Sequence, residues 1–120
     1  MADHNNLGIQ GEKLAMELLT KKGYSILAEN WRSGKNELDI IARIGETAVF
    51  VEVKTRSTAF FGDPSDAVSI AKQKRIIQAA NNYLEQHELD LEARFDVISI
   101  VASGGEPILD HMEDAFYPLA

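Results

Sequence analysis

The sequence contains no cysteine, which excludes disulfides, thiolate metal sites and cysteine nucleophiles. It also lacks any apolar run near the roughly 20 residues that a membrane-spanning helix needs. Its first residues, MADHNN, carry neither the basic nor the apolar region of a secretory signal. These absences point to a cytoplasmic protein without membrane contact. Basic residues are nearly missing from the last third. Residues 76–120 hold one arginine, Arg94, against nine acids, a net of −8. Residues 1–75 hold eleven of the twelve Lys and Arg against ten acids, a net of +1. The overall charge of −7 is therefore a property of the C-terminal third, and the remainder is free to present a basic face to an anionic partner.

With 120 residues, 45% of them hydrophobic and 26% charged, the chain fits one globular domain over 1–120, with an ordered core from about residue 8 to 116. Leu14, Ala15, Leu18 and Leu19 recur at helical spacing, and Gly23 closes that segment. The helix is expected to start between Leu7 and Gly11. Strands are expected at Tyr24–Trp31, Glu37–Ile44 and Thr47–Thr55, with a turn at Gly45-Glu46. FFGDPSD reads as a loop built on Gly62, Asp63 and Pro64. A long helix lies within 65–87, starting as late as Ser69, with Val68, Ala71, Ile76, Ala80, Tyr83 and Leu84 on its buried side. RFDVISIVA and PILDHM are a fourth and a fifth strand, separated by SGGE. The order α-βββ-α-ββ predicts an α/β domain with a mixed central β-sheet flanked by helices.

The stretch VFVEVKTR, Val49 to Arg56, sets two charges among strand-forming residues. Buried strands rarely tolerate charge unless it is paired or does chemistry. A two-residue turn at 45 and 46 pairs Ile44 with Thr47, Ala42 with Val49, Ile40 with Val51 and Leu38 with Val53. That face is apolar and is expected to be the core side. The opposite face then sets Asp39 against Glu52 and Glu37 against Lys54. Directly opposed residues have Cβ atoms roughly 4.5–5.5 Å apart, where like charges destabilise. Asp39 and Glu52 thus need a shared proton, a nearby cation such as Lys54, or a bound divalent metal. Oxygen ligands alone favour Mg²⁺ or Mn²⁺ over zinc. The plainer alternative is an ordinary solvated outer face.

Asp39 followed by Glu52-Val53-Lys54 resembles the D…(D/E)xK signature of restriction-endonuclease-like nucleases. Gly11-Glu12, GYSILAENWR, ELDIIA, VFVEVKTR, FGDPSDAV, KQKRI, NYL and RFDVISI together resemble the YraN-type uncharacterised protein family of bacteria, which is similar to archaeal Holliday junction resolvases. The resemblance spans Gly8 to about Phe116. It implies a restriction-endonuclease-like, resolvase-like core and a Mg²⁺- or Mn²⁺-dependent endonuclease that hydrolyses DNA, with branched DNA as a candidate substrate. By this match Asp39, Glu52 and Glu12 are metal ligands, with the Val53 carbonyl as a further one. Lys54 orients or activates the attacking water, and Glu37 stands behind the site. Leu38 takes the place of the proline that often precedes the aspartate in the broader superfamily. Resolvases suggest a homodimer, since two cuts need two sites. Phosphodiester hydrolysis needs a Lewis acid at the phosphoryl oxygen and an activated water, and a lysine can stabilise the developing charge.

Arg56, Lys72, Lys74 and Arg75 follow the motif and are candidates to contact DNA phosphates flanking the cut; as a solvated helix face they need no function. Trp31 is expected to pack, as is at least one of Phe60 and Phe61, and His111 is expected to be structural. The rival reading is a non-catalytic nucleic-acid- or protein-binding module that keeps the nuclease fold.

Overall fold

The structure is a computed structural model that describes residues 2–56, 68–102 and 105–117, with side chains described from Gly8 onward. Seven elements follow in the expected order: α1 (Ala2–Lys21), β1 (Ser25–Ser33), β2 (Asn36–Ile44), β3 (Thr47–Arg56), α2 (Ile70–Gln86), β4 (Glu92–Val101) and β5 (Ile108–Phe116). One five-stranded sheet runs β1-β2-β3-β4-β5. β1, β2 and β3 are antiparallel neighbours, β3 and β4 are parallel, and β5 returns antiparallel to β4. The parallel pair needs a crossover, and α2 lies in that connection. The chain is thus a mixed α/β domain with helices flanking one sheet. Among the described residues no helix is long and apolar enough to cross a membrane.

Local chemistry sets the element ends. Gly23 adopts φ +94°, and the Tyr24 N–H returns to the Leu19 carbonyl at 2.9 Å, closing α1 with a left-handed residue that glycine adopts without strain. Ser69 caps α2, its Oγ accepting the Lys72 N–H. α1 begins at Ala2, ahead of the expected start, because the polar residues before Gly8 do not interrupt a helix even without an apolar stripe. β5 runs on to Phe116, beyond the expected PILDHM. A bulge carries Asp114 at φ +54°, after which Ala115 and Phe116 turn back onto the core. FFGDPSD, with Phe60 and Phe61, lies outside the described residues, as does part of SGGE.

The sheet is covered on both faces. Ala15, Leu19 and Tyr24 pack with Ile40, Ala42, Val49, Val51, Ile98 and Ile100 on the α1 side. Ile76, Ala79, Ala80 and Tyr83 of α2 pack with Leu38, Ile41, Ala48, Phe50, Phe95 and Val97 on the other. Trp31 packs edge-on to Tyr83, with ring centroids 5.1 Å apart. Ala71, expected on the buried side of α2, is exposed, and Ala79 takes that role. This corrects the expectation of one apolar and one charged face. The turn register holds from Ile44–Thr47 to Ile40–Val51, but Ile41 and Phe50 on the second face are core residues, not solvated ones. A sheet buried on both faces reads as a continuous apolar run rather than an alternation, and IIA and AVFV are such runs.

Opposite the acidic motif, near the β4–β5 edge, lies a second polar cluster. Asp96 is fully buried. Its Oδ1 accepts from Arg94 Nε at 2.9 Å and the Asp114 N–H at 3.0 Å. Its Oδ2 accepts from Arg94 Nη2 at 2.8 Å and His111 Nε2 at 2.7 Å. Lys22 Nζ lies 2.6 Å from His111 Nδ1. The ammonium has only donors, so Nδ1 accepts in this contact and Nε2 is the nitrogen that donates to Asp96. Burial alone raises a carboxylate pKa, yet the bonds from His111, Arg94 and the Asp114 amide outweigh it and hold Asp96 below its usual value. His111 is thus structural: it ties β5 and the end of α1 to β4.

Asp96→Ala leaves Arg94, His111 and the Asp114 N–H without their shared acceptor. It should lose about 3–5 kcal/mol of stability by urea denaturation at neutral pH, as removal of one partner from a buried charge network does. Because the folded pKa is depressed, that contribution is present above the unfolded pKa and fades as pH falls through the folded one.

Candidate functional site

β2 and β3 part company at the motif. Their backbone pairing ends at Ile40–Val51, so the expected cross-strand pairs Asp39–Glu52, Glu37–Lys54 and Leu38–Val53 do not form as such. Leu38 joins the α2-side core while Ile40 joins the α1 side. Where the ladder stops, the Val53 N–H would be an unpaired donor, and Asp39 Oδ2 accepts it at 2.9 Å. The aspartate side chain thereby replaces a backbone acceptor and is fixed between the two strands.

Glu52 lies on the α2 side of β3 and is 6% exposed. The cation that pairs with it is Lys72, not Lys54: Lys72 Nζ lies 2.5 Å from Glu52 Oε1. Lys72 sits in the first turn of α2, where the Ser69 cap fixes the helix start. Lys54 is a close neighbour of Lys72, and the two ammonium groups act on each other. Glu12 reaches in from α1. Asn30, at φ +50° in β1, donates from Nδ2 to Glu12 Oε1 at 3.1 Å; asparagine is among the few residues that adopt this conformation readily. α1 lies close enough to β3 for this because residue 11 is glycine. A Cβ there would come within 2.0 Å of Thr55 Oγ1.

Gly8, Glu12, Asp39, Glu52, Val53, Lys54, Thr55 and Lys72 line one cavity of about 350 Å³. A smaller one of about 170 Å³ adjoins it, sharing Asp39, Glu52 and Lys72 and adding Lys35, Glu37 and Arg75. The structure therefore brings Glu12, Asp39, Glu52, Val53, Lys54, Lys72 and Arg75 together. Glu37 pairs with Arg32 at 2.9 Å at the rim. Lys74 points elsewhere and lines a separate groove with Ile70, Ile77 and Tyr117. Arg56 closes β3, its carbonyl accepting the Ala102 N–H, and lines neither cavity. Two contributors escape a reading of the sequence. Asn30 carries one weak signal, an asparagine inside a strand. The pairing of Lys72 with Glu52 depends on how α2 lies over the sheet and has no local signal.

Electrostatics single out Asp39. Burial, then the charge of Glu52 and to a smaller degree Glu12, push its pKa up to about 7, against the Val53 N–H and Lys72. Burial and the adjacent Lys72 ammonium lower the Lys54 pKa, which makes that amine easier to deprotonate. Burial also works against the Lys72 ammonium, but its hydrogen bond and attraction to Glu52 prevail and raise its pKa. Among the described residues no three acidic or histidine side chains converge as they stand on a metal-holding geometry. In kind the donors fit a hard divalent cation: three carboxylates and Val53 border one cavity, and the carboxylate charge is incompletely balanced. In arrangement, Lys72 holds Glu52.

Comparison with known proteins places the chain. The profile of the uncharacterised protein family UPF0102 matches residues 11–100. A UPF0102 protein of Flavobacterium psychrophilum is 50% identical over 117 residues, covering 98% of both chains. Relatives of the same name in Bacteroides thetaiotaomicron and Geobacter metallireducens are 44% and 48% identical over 118 residues, covering 98% and 97% of both chains respectively. The chain belongs to the UPF0102 family.

A carboxyl whose folded pKa is raised contributes stability below its unfolded pKa, here near 3.8, and loses it as pH rises through about 7. Asp39→Asn keeps an acceptor for the Val53 N–H and removes the charge. The variant should be more stable than the parent at pH 8, by about 1–3 kcal/mol, with the gain shrinking toward pH 5. Urea denaturation in the presence of a chelator measures it; a variant less stable at pH 8 would contradict the raised pKa.

Proposed function

We propose that this member of the UPF0102 family is a divalent-cation-dependent endonuclease of the restriction-endonuclease-like fold that hydrolyses phosphodiester bonds in DNA. The observation that carries this reading is the single cavity shared by Glu12, Asp39, Glu52, Val53 and Lys54. Within it, two neighbouring carboxylates are partly desolvated and one is pushed up to about 7. Perturbed groups of this kind cluster in the clefts of functional sites.

Asp39, Glu52, Glu12 and the Val53 carbonyl would hold Mg²⁺ or Mn²⁺, which would supply a Lewis acid for the phosphoryl oxygen. The chain's own groups do the rest. Asp39 is anchored by the Val53 amide, so its orientation is set before substrate arrives. Lys54 orients or activates the attacking water, and its ammonium form stabilises the charge that develops on the phosphate. Water attacks phosphorus in line, the bond to the leaving sugar oxygen breaks, and a phosphate monoester and an alcohol result. Lys72 and Arg75 border the two cavities, where phosphates on either side of the scissile bond would lie. Lys74 and Arg56 lie outside those cavities and are assigned to more distant phosphates. Branched DNA and a homodimer that makes paired cuts belong to the same proposal, as does a cytoplasmic location.

A second reading has its own support. The Glu52–Lys72 ion pair fills part of the site without any ligand, as it would in a non-catalytic DNA- or protein-binding module. One assay separates the two. The protein is incubated with linear, flapped and four-way DNA and Mn²⁺, beside Asp39→Ala and Lys54→Ala. The nuclease reading expects cleavage by the parent and a loss of at least about 100-fold in each variant, the scale of a lost acid–base or electrostatic group. Binding without cleavage by the parent would favour the binding module, and equal cleavage by both variants would sink the mechanism.

A further inference from the structure

Glu52 is almost fully buried, yet it does not wait for a ligand as a bare anion. Its Oε1 is taken at 2.5 Å by the Lys72 ammonium, whose side chain remains 33% exposed against 7% for that of Glu52. The second carboxylate, Asp39, spends Oδ2 on the Val53 amide, and the third, Glu12, spends Oε1 on Asn30. The Asp39 and Glu12 tethers are neutral donors on one oxygen each and, among the described residues, leave the other oxygen without a hydrogen-bond partner. Lys72 is different, because it is itself a cation and occupies a carboxylate oxygen that the metal would use.

We propose that Lys72 is a resident counter-ion that competes with the divalent cation for Glu52, so that metal binding requires Lys72 to swing away and the lysine sets how tightly the metal is held. This inference rests on the metal-site reading above. Three observations carry it. The Lys72 ammonium lies directly on a carboxylate of the candidate metal set. Lys72 and Lys54 line the same cavity, so an arriving divalent cation would be the third cationic group in it and would compete with both for the carboxylates. Lys72 also has somewhere to go: its flexible stem leaves the first turn of α2 at the shared wall of the two cavities. The exchange has a physical use. Without metal, Lys72 stabilises a buried carboxylate that would otherwise destabilise the fold. With metal, the displaced ammonium is released into the space where a phosphate would sit.

Lys72→Met removes the charge while keeping most of the stem. Lys72→Gln serves in its place if the methionine variant does not fold, since it still donates a hydrogen bond to Glu52. Mn²⁺ binding to the full chain is measured by isothermal titration calorimetry, with thermal melting of the metal-free protein alongside. The variant should bind Mn²⁺ about tenfold tighter than the parent, within the usual range for coupling between two sites, and should melt at lower temperature without metal. Lys72→Arg, which keeps the charge, should show no such gain. Binding by the parent with no gain in Lys72→Met or Lys72→Gln would overturn the inference and leave the metal site standing. No Mn²⁺ binding by the parent or by the variants would overturn both.

Discussion

Two carboxylates, Asp39 and Glu52, are held near each other where β2 and β3 separate, and the surrounding structure is arranged around their repulsion. The separation frees the Val53 N–H, which Asp39 takes. Burial removes most of the water that would screen Glu52, and Lys72 answers it from α2. Gly11 lets α1 lie against Thr55 and so brings Glu12 to the same cavity. The site therefore draws on two strands and both helices, and on both faces of the sheet. Its electrostatic strain persists because two separate hydrophobic layers, one under each helix, hold the elements in place.

The sheet carries a useful internal contrast. Asp96 is more completely buried than Asp39, yet four hydrogen bonds satisfy both of its oxygens and its pKa falls. Asp39 has one backbone donor and two acidic neighbours, and its pKa rises. A fully satisfied polar network rigidifies a fold, whereas a partly satisfied one is poised to accept something more. By that test the Arg94–Asp96–His111 cluster is structural, and the Glu12–Asp39–Glu52 cluster is the candidate for chemistry. Both lie among strands of similar sequence character, so burial alone does not distinguish them.

Much of this was legible in the residues. Gly45-Glu46 set the β2–β3 register correctly as far as Ile40–Val51; turn length and apolar pairing both act over a few residues. The element order followed from periodicity, and α2 starts at the late end of the range that periodicity allowed, just after Ser69. Three features were not legible, each because it depends on distant parts of the chain. The charged face turned out to be a second core, since only the tertiary fold places α2 over Ile41 and Phe50. The break in pairing at Asp39 depends on a side chain replacing a backbone acceptor, which alternation cannot signal. The sequence offers Glu52 a shared proton, a metal or Lys54 two residues away, whereas the ammonium that pairs with it is Lys72, twenty positions along.

The central claim is that Asp39 and Glu52 form a cation site tethered through Val53. The most direct measurement is a Mg²⁺ titration of the ¹⁵N-labelled protein followed by amide chemical shifts. The account predicts saturable shifts at Val53, Asp39, Glu52 and Glu12, with the Val53 amide among the largest because its proton is bonded to Asp39. It also predicts their loss in Asp39→Asn. Unmoved amides at Val53, Asp39 and Glu52 under saturating Mg²⁺, or shifts confined to the acidic C-terminal third, would contradict it.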